Sequence, residues 1–111
     1  MAKIFGGVQS VVTFPNFAAF TAQVITVTAA GTPVQLPNIV VPEGASLFVR
    51  ARLENGNKRI FLADSAVNVG NANTRLTLRA GEGVELNVQN ANLVFIDASA
   101  NGAQVELFVE Q

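Results

Sequence analysis

The sequence predicts an all-β fold: a single-domain antiparallel β-sandwich, jelly-roll-like, with an apolar N-terminal arm. Apolar and polar residues alternate over short runs rich in Val and Thr, turns containing Gly, Asn or Pro separate those runs, and the chain has 111 residues. A period of two indicates half-buried strands, frequent turns favour a sandwich, jelly roll or small barrel, and the length suits one domain. We place the arm or first strand at residues 1–22 and the sandwich domain at residues 23–111.

Five runs carry the alternation, and we expect a strand in each. They cover residues 23–29, 47–53, 74–79, 84–88 and 103–109. The run at 93–96 is apolar at every position, which is typical of a central strand that is covered on both faces. The second run places Phe48, Arg50 and Arg52 together on one side of its strand.

The segments between the runs read as turns and loops. Asn55-Gly56 lies between alternating runs and predicts a β-hairpin, because both residues accept the positive φ of a type I′ turn. Residues 15–22 have the composition of one short helical turn. Residues 64–73 form the longest polar loop, whose Asp and Asn oxygens leave a weak calcium site open. Such side chains more often bind their own turn backbone.

Several side chains that carry enzyme and ligand chemistry are missing from the sequence. There is no Cys, His, Trp or Tyr, and the net charge is −1. We therefore assign no catalytic, cofactor-binding or metal-ligating residue, expect no cofactor and expect no enzyme. The charge argues against a nucleic-acid partner. No apolar run reaches the roughly 18 residues of a membrane helix, and no signal peptide is evident, so we expect synthesis in the cytoplasm and no membrane contact.

The acidic residues lie mainly beside turn glycines or on the polar sides of strands, where solvated side chains are usual. Asp97 is the exception, because it ends the apolar run at 93–96. We expect it to cap or brace a turn rather than to act in catalysis. A hydrolase built on carboxylates would need two of them converging in a cleft, and the sequence shows no such constellation.

The first 42 residues contain one charged side chain, Lys3, where average composition predicts about ten. The same stretch holds Phe5, Phe14, Phe17 and Phe20, half of the eight phenylalanines. Because a segment this apolar is unfavourable in water, we expect it to be buried against other protein surface. The phenylalanines either fill the core or pack against another subunit, and both arrangements stay open at this point.

The arginines offer a second set of candidate contacts. Arg50, Arg52, Arg75 and Arg79 fall on the polar sides of strands, where cross-strand ion pairs with glutamates are the usual arrangement. Arginine is also enriched at protein interfaces, so an acidic patch on a partner is the second hypothesis for this set. The candidate interface residues are Phe5, Phe14, Phe17, Phe20, Arg50 and Arg52.

About three quarters of the chain, from Val24 to Glu110, resembles the small all-β virion structural proteins of tailed bacteriophages. The resemblance rests on the stretches Ile25 to Pro37, Val41-Pro42-Glu43-Gly44, Asn55-Gly56-Asn57, Ala63-Asp64-Ser65, Leu78 to Glu82 and Ala100 to Val105. Residues 1–22 lie outside it.

This resemblance implies a capsid decoration (cement) subunit that is located in the virion. Its partners would be itself, as a homotrimer, and the major capsid protein or another virion protein. An apolar arm could add a strand to a neighbouring sheet edge. The alternatives are a head–tail, neck or tail-associated structural protein, or a carbohydrate- or protein-binding β-sandwich module.

Overall fold

The computed structural model describes residues 20–110, which form two packed antiparallel sheets. The strands are β1 Phe20–Val27, β2 Val34–Gln35, β3 Leu47–Ala51, β4 Ile60–Ala63, β5 Leu76–Leu78, β6 Gly83–Leu86, β7 Phe95–Ala98 and β8 Ala103–Glu110. A one-turn helix, α1 Ala66–Val69, follows β4, and 3₁₀ turns lie at Leu53–Asn55 and Ala91–Leu93.

The strand order identifies the sandwich as a jelly roll. The first sheet has the order β1-β8-β3-β6 and the second has the order β2-β7-β4-β5. The pairs β1·β8, β2·β7, β3·β6 and β4·β5 are those of one long antiparallel hairpin, and rolling that hairpin up adds the pairs β3·β8 and β4·β7. Eight strands in two such sheets are the jelly-roll arrangement. The predicted single-domain antiparallel sandwich is therefore confirmed.

One continuous core lies between the sheets. Alternate residues of each long strand point inward, so that β8 contributes Ala103, Val105, Leu107 and Val109, each at most 2% exposed. The other strands face them with residues that are also almost fully buried, including Val27, Leu36, Leu47, Val49, Ile60 and Ile96. Each Val, Leu or Ile buried in this way contributes about 1.5–3 kcal/mol to the stability of the fold, before the entropic cost of ordering is subtracted. The described core residues extend from Val27 to Val109.

Some strand boundaries differ from the predicted ones for identifiable reasons. β1 begins at Phe20, and residues 20–22 pair with β8, so the helical turn expected at 15–22 is wrong for these three residues. Residues 15–19 lie outside the described part of the chain. β7 begins at Phe95 rather than at residue 93, because the 3₁₀ turn Ala91–Leu93 takes up the start of the apolar run.

The hairpin predicted at Asn55-Gly56 is wrong. β3 lies in the first sheet and β4 in the second, so the turn carries the chain across the sandwich. Of the two turn residues, only Gly56 has a positive φ, of 61°. Asn55 is 5% exposed, donates its side-chain amide to the carbonyl of Gln104 at 2.8 Å and accepts from the Gln104 N–H at 2.8 Å. The asparagine therefore serves as a buried anchor for β8.

Asp97 stabilises the turn at a second crossing between the two sheets, as its position at the end of the apolar run predicts. Its carboxylate is 4% exposed and accepts from the N–H of Gly31 at 2.9 Å and from the N–H of Ala98 at 2.8 Å. The contact ties the turn between β1 and β2 to the middle of the second sheet. Within residues 20–110, no helix has the length and apolar composition of a membrane span.

Replacing Asn55 with Ala should destabilise the fold measurably. The substitution leaves the Gln104 N–H and carbonyl without their side-chain partner, which typically costs about 1–3 kcal/mol. Urea unfolding followed by circular dichroism measures the loss. The exposed neighbour Asn57 provides the control, because Asn57→Ala should change the free energy of unfolding by less than about 0.5 kcal/mol. Equal losses in the two variants would contradict the anchor role.

Candidate interaction surface

The outer face of the first sheet gathers the described candidate interface residues. Strand alternation and register place Phe20, Arg50 and Arg52 on this face, away from the core. The remaining candidates, Phe5, Phe14 and Phe17, lie outside residues 20–110. The outer face is defined by residues of one parity on β1, β8 and β3, together with Arg52 one position past β3: Phe20, Ala22, Val24, Phe48, Arg50, Arg52, Glu106 and Phe108.

Three aromatic rings dominate one end of the outer face. Phe48 and Phe108 are directly opposite each other on β3 and β8. The Phe20 ring stacks on Phe108, with ring centroids 5.1 Å apart and planes inclined by 24°. Aromatic pairs in this offset geometry add to the stability of a sheet. Phe20 and Phe108 therefore form a stacked pair, and Phe48 lies next to Phe108 in register.

The Phe48 ring lies directly over Gly83 of the edge strand β6. A Cβ atom on Gly83 would be 2.7 Å from Cε1 and Cζ of that ring, and 3.3 Å from the Val49 carbonyl oxygen. Only glycine allows such a close approach. Gly83 thus sets the position of Phe48 on the outer face.

Charged groups occupy the middle of the outer face. Arg52 donates Nε to a Glu106 carboxylate oxygen at 3.2 Å, and its two terminal nitrogens donate to Gln104 and Glu54 at 3.2 Å each. The expected cross-strand ion pair is therefore present for Arg52, reaching diagonally to Glu106. An arginine held by three acceptors is fixed in orientation.

Arg50 has a different environment from Arg52. It lies directly opposite Glu106 on β8 and Gly83 on β6. Its Nε atom is buried and has no hydrogen-bond acceptor in the described part of the chain. Buried donors are rarely left without an acceptor. The nitrogen is already covered by the protein itself, so it is an unsatisfied donor beneath the outer face and not a group that a partner can reach.

These groups line a shallow depression of about 520 Å³, whose walls include Ala22, Val24, Phe48, Arg50 and Phe108. Val24 is 46% exposed and Phe20 is 55% exposed. At the aromatic end, Glu110 lies in register with Phe20 and is fully buried. Apolar walls around a charged centre suit contact with another protein.

The other arginines are placed elsewhere. The Arg75 guanidinium lies over the Phe61 ring, 3.5 Å from its centroid, and donates to the Val69 carbonyl. The backbone N–H of Arg79 donates to the Glu82 carboxylate at 2.7 Å. Arg75 immediately precedes β5 and Arg79 immediately follows it, so both lie in the second sheet's region, away from the outer face.

The loop at 64–73 uses its polar groups internally. Asp64 accepts from the Asn68 amide at 2.7 Å, Ser65 accepts from the Asn68 N–H at 3.1 Å, and Asn71 accepts from the Asn73 N–H at 3.0 Å. Among residues 20–110 there is no cluster of three acidic side chains of the kind that holds a metal ion.

Two residues of the outer face, Phe48 and Phe108, were not among the sequence-based candidates. Both follow from a signal in the sequence, since each phenylalanine falls on the polar side of its alternating strand, beside Arg50 and Glu106 respectively. An aromatic residue at a position where the pattern predicts a polar one is the signal by which both could have been selected as candidates.

The chain was compared with known proteins. No model of a known family matches it, and no curated protein matches it significantly. Among solved structures it is similar to a chain from one described as "Bacillus endospore appendages form a novel family of disulfide-linked pili", with 18% sequence identity over 90% of this chain and 91% of that chain, at a TM-score of 0.44. A likeness of this strength carries no argument about function.

Replacing Gly83 with Ala should displace Phe48 and disturb the outer face while the core stays folded. The added methyl overlaps the ring, and relief of such overpacking typically costs about 1–3 kcal/mol. Gly70→Ala is the matched control, because a Cβ there meets carbonyl oxygens no closer than 3.6 Å. Thermal unfolding and the aromatic NMR signals of Phe48 report the two effects. An unshifted Phe48 signal in Gly83→Ala would contradict the proposed contact.

Proposed function

We propose that this protein is a non-enzymatic structural subunit that joins neighbouring proteins in an assembly through the outer face of its first sheet. The observation that carries the proposal is the convergence of Phe20, Arg50 and Arg52 on that face, around the stacked Phe20–Phe108 pair. The resemblance to phage virion proteins gives the proposal its specific form. In that form the protein is a capsid decoration subunit, homotrimeric, in contact with the major capsid protein or another virion protein.

The composition of the outer face supports a protein partner. Aromatic side chains and arginine are the residues most enriched at the centres of protein interfaces. The rings bury large apolar area without needing a polar partner.

The edge strand β1 supports the same proposal. Among the described residues, β1 is at the edge of the first sheet and exposes Phe20 and Val24. Proteins usually protect a long edge strand with charged residues, Pro or bulges, yet β1 has no charged residue among its eight. An uncharged, partly apolar edge is suited to pairing with a neighbouring chain.

The proposal is tested by placing a charge on the exposed edge without unfolding it. In Val24→Lys the new ammonium lies opposite Glu106 in register, so the folded subunit accommodates the charge while the apolar contact is lost. We expect the wild-type chain to sediment as an oligomer at micromolar concentration, and Val24→Lys to associate at least about tenfold more weakly.

The matched control is Val67→Lys, because Val67 on α1 is 82% exposed and lies away from the outer face. It should assemble as the wild type does. A wild-type chain that remains a monomer and that mass spectrometry does not find in native virus particles would refute the proposed function. Equal weakening by the two substitutions would refute the role of the outer face.

A further inference from the structure

A second apolar feature lies at the open edge of the sandwich, on the side away from β1. It is a groove of about 230 Å³ between the end of β6 in the first sheet and β4 and β5 in the second. Its apolar lining consists of Leu62, Leu76, Leu86, Val88, Leu93 and Val94. Leu76 and Leu93 are 46% and 50% exposed, so the two leucines form an apolar rim around the opening.

The size of the groove favours side chains over a free ligand. Small-molecule sites usually enclose roughly 300–1,000 Å³ and offer several convergent polar groups. This groove is smaller, and Asp64 is the one charged residue in its lining. The Asp64 carboxylate already accepts from the Asn68 amide. The space matches one or two large apolar side chains from a polypeptide.

The chain itself contains a segment of matching chemistry. Residues 1–19 precede β1 and carry Phe5, Phe14 and Phe17, with Lys3 as their only charged residue. An apolar groove with one acid and an apolar segment with one base are complementary in both respects. The amino-terminal segment is therefore a chemically suitable occupant.

The register shows where this segment joins the sandwich. Thr21 on β1 pairs with Val109, Val109 pairs with Leu47, and Leu47 pairs with Leu86. The chain thus enters β1 at the end of the first sheet at which Leu86 lines the groove. The two points are three strands apart, about 14 Å. A segment of 19 residues can extend over roughly 60 Å, so it can reach the groove of its own copy as well as that of a neighbour, and the proposed assembly selects the neighbour.

We propose that the groove receives the amino-terminal segment, residues 1–19, of a second copy of this chain, with phenylalanine side chains seated between Leu76, Leu86 and Leu93. The inference rests on the proposed assembly function and names one of its contacts. When the segment passes between copies, each copy gives its segment to one neighbour and receives a segment from another. Contacts of this head-to-tail kind close into rings or extend into filaments, and three copies would give the homotrimer.

Two full-length variants separate the donor from the acceptor. The donor variant replaces Phe5, Phe14 and Phe17 with Ser and leaves the groove intact. The acceptor variant, Leu93→Asp, places a carboxylate on the groove rim and leaves the segment intact. Leu93 is half exposed, so the fold should tolerate the change. Leu76→Asp on the opposite rim is a second acceptor variant, and Leu53→Asp is the control, since Leu53 is 62% exposed and lies outside the groove.

Sedimentation velocity and native mass spectrometry at micromolar concentration read out the result. We expect both the donor and the acceptor variant to associate at least tenfold more weakly than the wild type, and Leu53→Asp to behave as the wild type. Mixing the donor variant with the acceptor variant should restore a complex that contains both, because one still has a groove and the other still has a segment.

Three results would overturn the inference. If Leu93→Asp and Leu76→Asp both assemble normally while Val24→Lys does not, the groove is not the receptor and the proposed function stands. If the acceptor variant fails to assemble and mixing restores nothing, the segment does not pass between copies. If the wild-type chain is a monomer, the inference fails together with the assembly on which it rests.

Discussion

The position of β8 is the constraint on which the rest of the structure depends. β8 lies between β1 and β3 in the first sheet. The last strand of the jelly roll therefore has to fit between two strands that come much earlier in the sequence. Its inward residues are almost completely buried, and they hold the first sheet to the core. Its outward residues, Glu106 and Phe108, form the middle of the outer face. One strand therefore couples the stability of the fold to the geometry of the candidate surface.

Two side-chain anchors keep this strand and its neighbours in register. Asn55 binds both backbone groups of Gln104 at the start of β8, and Asp97 holds the turn that leads away from β1. Both groups are buried, so the loss of either leaves polar backbone atoms without a partner in an apolar environment. Because register errors would move Phe108 and Glu106 to the opposite face, these anchors also protect the outer face.

The sequence is sufficient to predict the fold class, since alternation with a period of two is a local property. The alternation also places Arg50 and Arg52 on the polar side of their strand, while a contact of these residues and Phe20 with a partner stays a prediction. The Asn55-Gly56 turn could not be assigned correctly, because the same two residues suit a hairpin and a crossing between sheets. Which of the two forms depends on the strands that β3 and β4 pair with, and those strands are distant in the sequence. The groove could not be predicted for the same reason: Leu62, Leu76, Leu86 and Leu93 belong to separate elements. Each looks like ordinary core or surface until the sheets are packed.

The mixture of apolar and charged groups on the outer face bears on how selective an assembly would be. An apolar surface alone favours any partner that removes it from water, since the hydrophobic effect has no direction. The Arg52–Glu106 pair adds direction, because Arg52 is held by three acceptors. A partner that covers this pair without offering polar contacts of its own would leave charged groups desolvated, which counts against the wrong orientation. The amino-terminal segment has almost no charge to contribute to such discrimination. In the proposed assembly, binding strength would come mainly from the apolar segment and groove, and orientation from the Arg52–Glu106 pair of the outer face.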